Sequence, residues 1–558
     1  MRSVSHSTSD STLVGEDKAP IEAPPSSKFK EVDLATEGGD VLMEKTPTLE
    51  ATLETMDKAD AGSNADFSNR KRGAIYLDWE QDDESRPRSW TNVKKWATSL
   101  SIMWATFAVA GMTGGYEACY DGLLSEFKAS EVVYMLGDVI FMIGVALAPL
   151  LLAPWSERVG RKPVLLFSTL ATLLFFLGQT LAKSIVPIVI TRGIQGFVGG
   201  CILSISVGVH CDLFQPMERG MVLALHALVV VGTHSMAPLY SSWVVYELGW
   251  RAVFWLQASI ALVAFVVIAT VFQETSDSVL LTRRARRLTE LTTLEHRTDA
   301  MDETMSRTLL RPLRYIVTEP IVLVHALWFA SVICCAFILL YELPWWTHFA
   351  HEPYRKAAAM CLIPFAAIFA GAILAFVIDL ILQCRGRRSS RREHRDLGYG
   401  DARLAFALAG AIIFVVGSAT TAVSGYTYVH LALPIVGLFL MGFAIFPILL
   451  STYTTLSEIY EAHTSSAVAL LTCMQYLFLL WVPLVVPKLH DRFGFVAVGG
   501  FVTLISALLV LFPCALVFQG DRLLMKSKEA VDNRRYDDDL LHSLGSPLDD
   551  QIPVMPKY

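Results

Sequence analysis

Charge is scarce in this sequence. Of its 558 residues, 18% are Asp, Glu, Lys or Arg, against about 25% in soluble globular domains. Asparagine is scarcer still. Asn64, Asn69, Asn92 and Asn533 are the four present, and none begins an Asn-X-Ser/Thr glycosylation acceptor. The nine cysteines, Cys119, Cys201, Cys211, Cys334, Cys335, Cys361, Cys384, Cys473 and Cys514, are scattered, most of them inside apolar runs. No spacing suggests a zinc site, so they read as small buried hydrophobes. No Gly-rich P-loop is present, which disfavours direct ATP drive. No basic, aromatic-interleaved stretch points to nucleic acid. No clustered Ser/His/Asp or metal constellation points to an enzyme, and no cofactor is implied. No apolar h-region follows Met1, so a cleavable signal peptide is not expected and the first membrane helix serves as its own insertion signal.

What the chain has is apolar length. It is 53% hydrophobic with a mean hydropathy of +0.46. Residues 97–518 carry nearly all the apolar runs, and residues 1–90 are polar. That leader is rich in Ser, Thr, Asp, Glu, Ala and Pro, so it buries too little apolar surface to offset its ordering entropy and is expected to be disordered. The formal net charge of −7 arises largely there and says little about partners.

A helix needs about 20 apolar residues to cross the hydrocarbon. Twelve candidates meet this: 97–117, 132–154, 163–183, 186–209, 220–244, 251–272, 320–341, 358–382, 403–423, 428–450, 465–487 and 495–518. A backbone in lipid must satisfy its own hydrogen bonds, which makes these helices. The expected fold is therefore an all-α membrane protein of 12 transmembrane helices in two six-helix bundles. The domains read as a leader 1–90, a first bundle 91–272, a central loop 273–319, a second bundle 320–518 and a tail 519–558.

Lys and Arg set the orientation. The loop after span 2 carries Arg158, Arg161 and Lys162; the central loop carries Arg283, Arg284, Arg286, Arg287, Arg297, Arg307, Arg311 and Arg314; the loop after span 8 carries Arg385, Arg387, Arg388, Arg391, Arg392, Arg395 and Arg403. The opposite side is poor in positive charge, so both termini are expected in the cytoplasm. The stretch LLLAPWSERVGRKPVLLF, Leu150 to Phe167, is then a tight cytoplasmic turn between spans 2 and 3. Gly160 permits a backbone that other residues resist there. Asp379 followed by Arg385-Gly386-Arg387-Arg388 echoes this turn in the second half, a hint of the internal repeat of many secondary transporters.

WSERVGRK resembles motif A of the major facilitator superfamily, with Arg158, Gly160, Arg161 and Lys162 matching, Glu157 in place of an aspartate and Ala153 in place of the leading glycine. ITRGIQGFVGG, Ile190 to Gly200, resembles motif B, with Arg192 in its basic position. DDESRPRSWTNVKKW before span 1, CDLFQPMERG from Cys211, LGWRAVFW from Leu248 and FQETSDSVLLTRRARRL from Phe272 are similar to segments of the twelve-span fungal drug:proton antiporters. The resemblance covers roughly 76–520. One departure stands in span 5, where THSMAPLYSS, Thr233 to Ser242, keeps Pro238 of the antiporter motif C but has Ala237, Ser241 and Ser242 at glycine positions. Small residues still permit close helix packing.

A proton-coupled carrier needs a group that binds a proton in one state and releases it in the other. Intramembrane ionisable residues are the candidates: Glu117 at the outer end of span 1, Asp138 in span 2, Arg192 in span 4, His226 and His234 in span 5, and His325 in span 7. Glu117 reads equally as an interfacial residue in water, Asp138 as a helix-pairing residue, and the histidines as hydrogen-bonded packing. The resemblance implies that Arg192 serves proton coupling. It also implies that Glu157, Arg158 and Arg161, with Gly160 and Lys162, form a charge network that holds the cytoplasmic side shut in one state. For the substrate cavity, Tyr341, Tyr453 and Tyr460 offer stacking surface and a hydroxyl each, and Glu458 would favour cations. Trp345 and Trp346 read better as the interfacial belt.

The resemblance implies export of a small organic molecule (secondary metabolite, drug, organic acid or amphiphile) by proton antiport, from a monomer in the cell membrane, with a vacuolar or vesicle membrane as the alternative site. A nutrient importer of the same fold is the nearest competing reading. A multi-span membrane enzyme or sensor is more distant.

Overall fold

The computed structural model describes residues 75–77, 79, 83 and 85–527, apart from 217, 292–295, 299–303, 349–353, 394–398 and 426–431. Most of the leader and the tail beyond 527 lie outside these residues. So do the side chains of 342–364 and 385–402, which hold Trp345, Trp346 and the Arg385–Arg388 echo.

Span 1 is a broken helix: α1 (Asn92–Ala110) and α2 (Met112–Glu117) meet at Gly111, and α3 (Tyr120–Phe127) follows. Then come α4 (Glu131–Val159), α5 (Arg161–Thr180), α6 (Ile185–Gly199), α7 (Cys201–Leu213), α8 (Arg219–Leu248) and α9 (Trp250–Thr270). The central connection carries α10 (Asp277–Leu291) and α11 (Met305–Thr318). The second half runs α12 (Pro320–His348), α13 (Tyr354–Glu393), α14 (Tyr399–Val423), α15 (Ala432–Ile459), α16 (Thr464–Leu479), α17 (Val482–Leu509) and α18 (Leu511–Lys526). The strands among the described residues are one two-residue parallel pair, β1 (Ile75–Tyr76) with β2 (His296–Arg297).

Among the described residues, ten segments are long and apolar enough to cross a membrane. One of them, Thr464–Gly520, has 57 residues, about 85 Å of helix against a hydrocarbon core about 30 Å thick. Gly494, with φ 77° and ψ 165°, breaks α17 and splits that run into two crossings. With the α1–α2 helix this accounts for the twelve spans.

The break also exposes the internal repeat. Gly249, between α8 and α9, has φ 83° and ψ 169°. It occupies the place between spans 5 and 6 that Gly494 occupies between spans 11 and 12. L-residues with a side chain rarely adopt such backbone. Both glycines are followed by an aromatic residue, Trp250 and Phe495.

Within the first half α4 packs on α6 and α5 on α9; within the second, α15 packs on α13 and α14. The halves meet where α4 and α7 pack on α16, and α8 packs on α13 and α15. Leu147, Leu151, Phe501, Leu504 and Leu508 are exposed on the outer helix faces, as a lipid-facing surface requires.

Candidate functional site

Two groups of buried polar residues stand out. One lies at the end of the bundle that carries the Gly160 turn, here called the basic end. The other lies about 10 Å in from the opposite end, taking seven residues at 1.5 Å each.

At the basic end α4 stops and α5 starts at Gly160, whose φ is 117°. The positive φ favours glycine, and a Cβ there would collide with Glu274 Oε2. Glu274 explains the turn. Its carboxylate accepts from the backbone N–H groups of Arg161 (2.8 Å) and Lys162 (3.2 Å), the first residues of α5. A carboxylate at a helix N-terminus satisfies orphan donors and complements the helix dipole. Arg161 is buried and donates to Asp212 on α7 at 3.2 Å and to Ser156 at 2.8 Å. Lys162 reaches the Ala269 carbonyl at 3.4 Å. These contacts tie α4, α5, α7 and the exit of α9 into one block.

Glu157 joins that block to the second half. It is buried, accepts from Arg311 of α11 at 2.8 Å, and accepts from Ser466 in the first turn of α16 at 3.2 and 3.3 Å. His463 lies 3.6 Å away. The anion therefore sits at the N-terminus of a helix from the other bundle, where the dipole favours it. Arg219 makes the complementary contact. Fully enclosed, it donates to the carbonyls of Cys211 and Phe214 at the end of α7, and to the Ser457 carbonyl near the end of α15 at 2.9 Å. Its guanidinium also pairs with Glu461 at 3.4 Å, which Arg88 reaches from the segment before α1. Cations at helix C-termini are stabilised by the dipole, and here one cation holds two helix ends from different halves together. Arg158 is half-buried, and its Nη1 has no hydrogen-bond partner among the described residues.

Reasoning from sequence singled out Glu157, Arg158, Gly160, Arg161 and Lys162 but none of their partners. Asp212, Arg219 and Glu274 all lie inside segments whose resemblance was noted, CDLFQPMERG and FQETSDS. A charged residue inside such a segment is the available signal. Arg311 counts among the central-loop arginines that set the orientation, but nothing in the sequence pairs it, His463 or Ser466 with Glu157.

In the far half, Arg192 on α6 is fully buried and donates to Asp138 on α4 at 2.8 Å. Arg192 also donates to the Met112 carbonyl at 3.4 Å. Its guanidinium lies over the Tyr116 ring at 3.8 Å and over Phe141 at 4.6 Å. Tyr116 and Tyr134 stack with centroids 4.6 Å apart and bond to each other's backbone carbonyls. The pair thus has an aromatic wall, a geometry that favours a desolvated arginine. Glu117 is exposed at the end of α2 and feels both Asp138 and Arg192 electrostatically. Tyr341, at the far end of α12 in the other bundle, feels Glu117 and Asp138. Glu117 directly follows Tyr116, whose ring covers Arg192.

Pro238 lies inside α8 against span 1. A Cβ on Gly114 would come within 2.5 Å of Pro238 Cδ. Gln257 of α9 donates to the Gly111 carbonyl at 3.0 Å and to the Tyr240 hydroxyl at 3.1 Å. The glycines that allow this close approach sit on span 1 rather than on α8. That placement gives a physical reason why α8 tolerates Ala237, Ser241 and Ser242.

The remaining cavity candidates disperse. Tyr453 is buried, with its ring 5.8 Å from His226. Tyr460 is fully buried and donates to Glu319 at 2.6 Å beside Tyr315, at the basic end. Glu458 is exposed and interacts with Arg403, which also attracts Asp379. His234 and His325 each bond a carbonyl one turn back on their own helix, Val230 and Ile321. Among the described residues, no group of three His, Cys, Asp or Glu is arranged to hold a metal ion.

The sequence matches the family model of the Major Facilitator Superfamily over residues 102–477. It is 25% identical over 490 residues to the MFS-type efflux pump MFS2 of Trichophyton rubrum, covering 86% of this chain and 81% of that one. It is 24% identical over 472 residues to the MFS-type transporter paaT of Penicillium rubens, covering 81% and 84%. It is 24% identical over 460 residues to the multidrug transporter FLU1 of Candida albicans, covering 80% and 75%. The fold superposes on the human organic anion transporter MFSD10 with a TM-score of 0.55 at 15% identity, covering 75% of this chain and 99% of that one. For the proton:xylose symporter XylE the TM-score is 0.54 at 16% identity, covering 76% and 95%. With more than half of its length matched to the family and its helices arranged in that family's fold, the chain belongs to the major facilitator superfamily and is a multi-pass membrane transporter.

Proposed function

We propose that this transporter exports a small organic molecule in exchange for protons, by alternating access. The substrate would be a secondary metabolite, a drug, an organic acid or an amphiphile. The observation that carries the reading is the buried Arg192–Asp138 pair, with Glu117 next in the chain to the Tyr116 ring that covers Arg192. A buried carboxylate is stable as an anion only while its cation is in place. When Arg192 moves off, Asp138 takes a proton rather than remain charged in a dry site. Moving that arginine between two positions therefore couples proton binding to a change of state.

The basic end supplies the second requirement, a gate. Its Lys/Arg excess places it in the cytoplasm, so a closed basic end corresponds to a state facing outward. Glu157 and Arg219 each hold a helix end of the opposite half. Rocking the halves apart breaks these contacts together. The names of the relatives, efflux pump and multidrug transporter, support export rather than uptake. The cell membrane is the proposed location, and the monomer, which contains the whole site, the working unit.

The test is a metabolite comparison in the native host. Compounds are profiled inside and outside cells lacking the protein and cells carrying Arg192→Ala. Accumulation of one compound inside, with its loss from the medium in both strains, is the expected result and names the substrate. Depletion inside with the compound left in the medium would make the protein an importer.

A further inference from the structure

Two histidines have no part in the gate or the proton site. His210 on α7 and His226 on α8 are both 0% exposed, and their rings meet edge to face with centroids 5.0 Å apart. Neither nitrogen of either ring has a hydrogen-bond partner among the described residues. His234 and His325 each find a carbonyl on their own helix. Buried polar groups without partners are rare, and each calls for an explanation such as a ligand that arrives in another state.

Position narrows the explanation. His226 is seven residues into α8 and Tyr453 six residues from the end of α15, so both lie about 10 Å above the basic end. His210 leans the same way, because helical side chains point back toward the N-terminus. The Tyr453 ring, 5.8 Å from His226, comes from the second half, so the pair sits on the seam that opens when the halves rock apart. It is directly above the gate. The charges facing it from below are engaged: Arg161 with Asp212, Glu157 with Arg311, and Arg219 with three carbonyls and Glu461; on α13, which packs on α8, the buried Asp379 accepts from Gln383.

The chemistry then follows. Two neutral imidazoles offer two donors and two acceptors. Beside them is an aromatic face, and the charges named around them already have partners. A hydroxyl on an aromatic ring both gives and accepts and stacks on Tyr453. A carboxylate or an ammonium finds no counter-charge. We propose that His210 and His226 form a loading subsite for an uncharged, hydroxyl-bearing aromatic compound, uncovered when the basic end opens. This rests on the alternating-access reading above and names the substrate class within it.

The test uses purified full-length protein in nanodiscs and four probes with one ring system: naphthol, naphthalene, naphthalene sulfonate and trimethylnaphthylammonium. Binding is measured calorimetrically for the wild type, His210→Phe and His226→Phe. Ring-nitrogen NMR of isotope-labelled histidine is recorded in parallel, with the two variants assigning the signals. Naphthol is expected to bind best, to weaken about tenfold in each variant through the lost hydrogen bond, and to shift both histidine signals in the wild type. Naphthalene should bind weakly and equally in all three proteins. If naphthol fails to bind the wild type, or binds without moving the histidine signals, the proposal is overturned, whatever the variants' folding. Histidine-dependent preference for the sulfonate overturns it in favour of an anion site. A histidine-dependent naphthol site in a protein that carries out no proton-coupled transport would remove the transport reading and leave the subsite.

Discussion

Arg192 is the residue on which most depends. It is enclosed by Tyr116, Phe141 and Asp138, and its Nε has no partner among the described residues. Replacing it with alanine leaves Asp138 buried without its cation, which costs about 3–5 kcal/mol when a buried pair is broken from one side. Arg192→Ala should therefore lower the unfolding temperature of the purified protein markedly. Asp138→Asn, combined with it, should recover part of the loss, because the unpaired charge is gone. If the double variant is no more stable than Arg192→Ala, the carboxylate was not the source of the cost. At this scale the sequence was informative about identity and silent about partners. An arginine inside an apolar run announces itself. That Asp138 faces it from another helix does not, and Tyr460, read as a candidate for the cavity, has its hydroxyl on Glu319 instead.

Helices set the next scale. The close approach of span 1 to α8 depends on Gly114, whose missing side chain makes room for Pro238. Gly114→Val should force the two helices apart and reduce both stability and transport. Ser241→Gly, which restores a glycine on α8, should leave stability within about 1 kcal/mol because no contact there requires it. Thermal unfolding of both variants checks this, and equal damage from the two would refute the assignment of the approach to span 1. A second contact works between elements at the far end. Glu126 on α3 accepts from Arg251 at 2.6 Å and from Trp250 at 2.8 Å. The Arg251 bond, with Trp250 adding to it, lowers its carboxyl below the usual 4.5. A depressed carboxylate contributes stability above its unfolded value, and that contribution is lost as pH falls through the lower folded value. Glu126→Gln should thus remove the part of the acid-side stability slope that lies below about pH 4.5, and leave stability at neutral pH changed by less than about 1 kcal/mol. An unchanged acid slope would refute it.

Length and hydropathy made the elements legible in advance, because a bilayer allows little besides apolar helices of fixed length. Their breaks were less legible. Gly111 interrupts an apolar run with nothing in the hydropathy to mark it, whereas Gly494 follows Lys488, His490, Asp491 and Arg492, the polar gap that already separates spans 465–487 and 495–518. The repeat of Gly249 and Gly494 emerges only when their backbone angles are compared.

The whole molecule is held in one state by contacts between residues far apart in the chain. Glu157 and Ser466 are 309 residues apart, Arg219 and Ser457 238. Such pairs have no local signature, so the knot at Gly160 could be read as a gate only through resemblance. Glu157→Gln should weaken the seal from one side. Cys211 is fully buried at the basic end and Cys119 is fully buried toward the far end. Thiol labelling followed by mass spectrometry should then find Cys211 reacting faster in Glu157→Gln than in the wild type, with Cys119 no faster. Faster labelling of both would indicate general loosening, not opening of one end.

The central claim is that substrate moves outward against protons through the Arg192–Asp138 pair. Its most direct test is proton flux in proteoliposomes carrying the compound named by metabolite profiling, with a pH-sensitive dye inside. On an imposed substrate gradient and with no membrane potential, the account predicts proton movement opposite to the substrate in the wild type, and none coupled to it in Asp138→Asn. Proton movement in the same direction as the substrate, or coupling undiminished in Asp138→Asn, would contradict it.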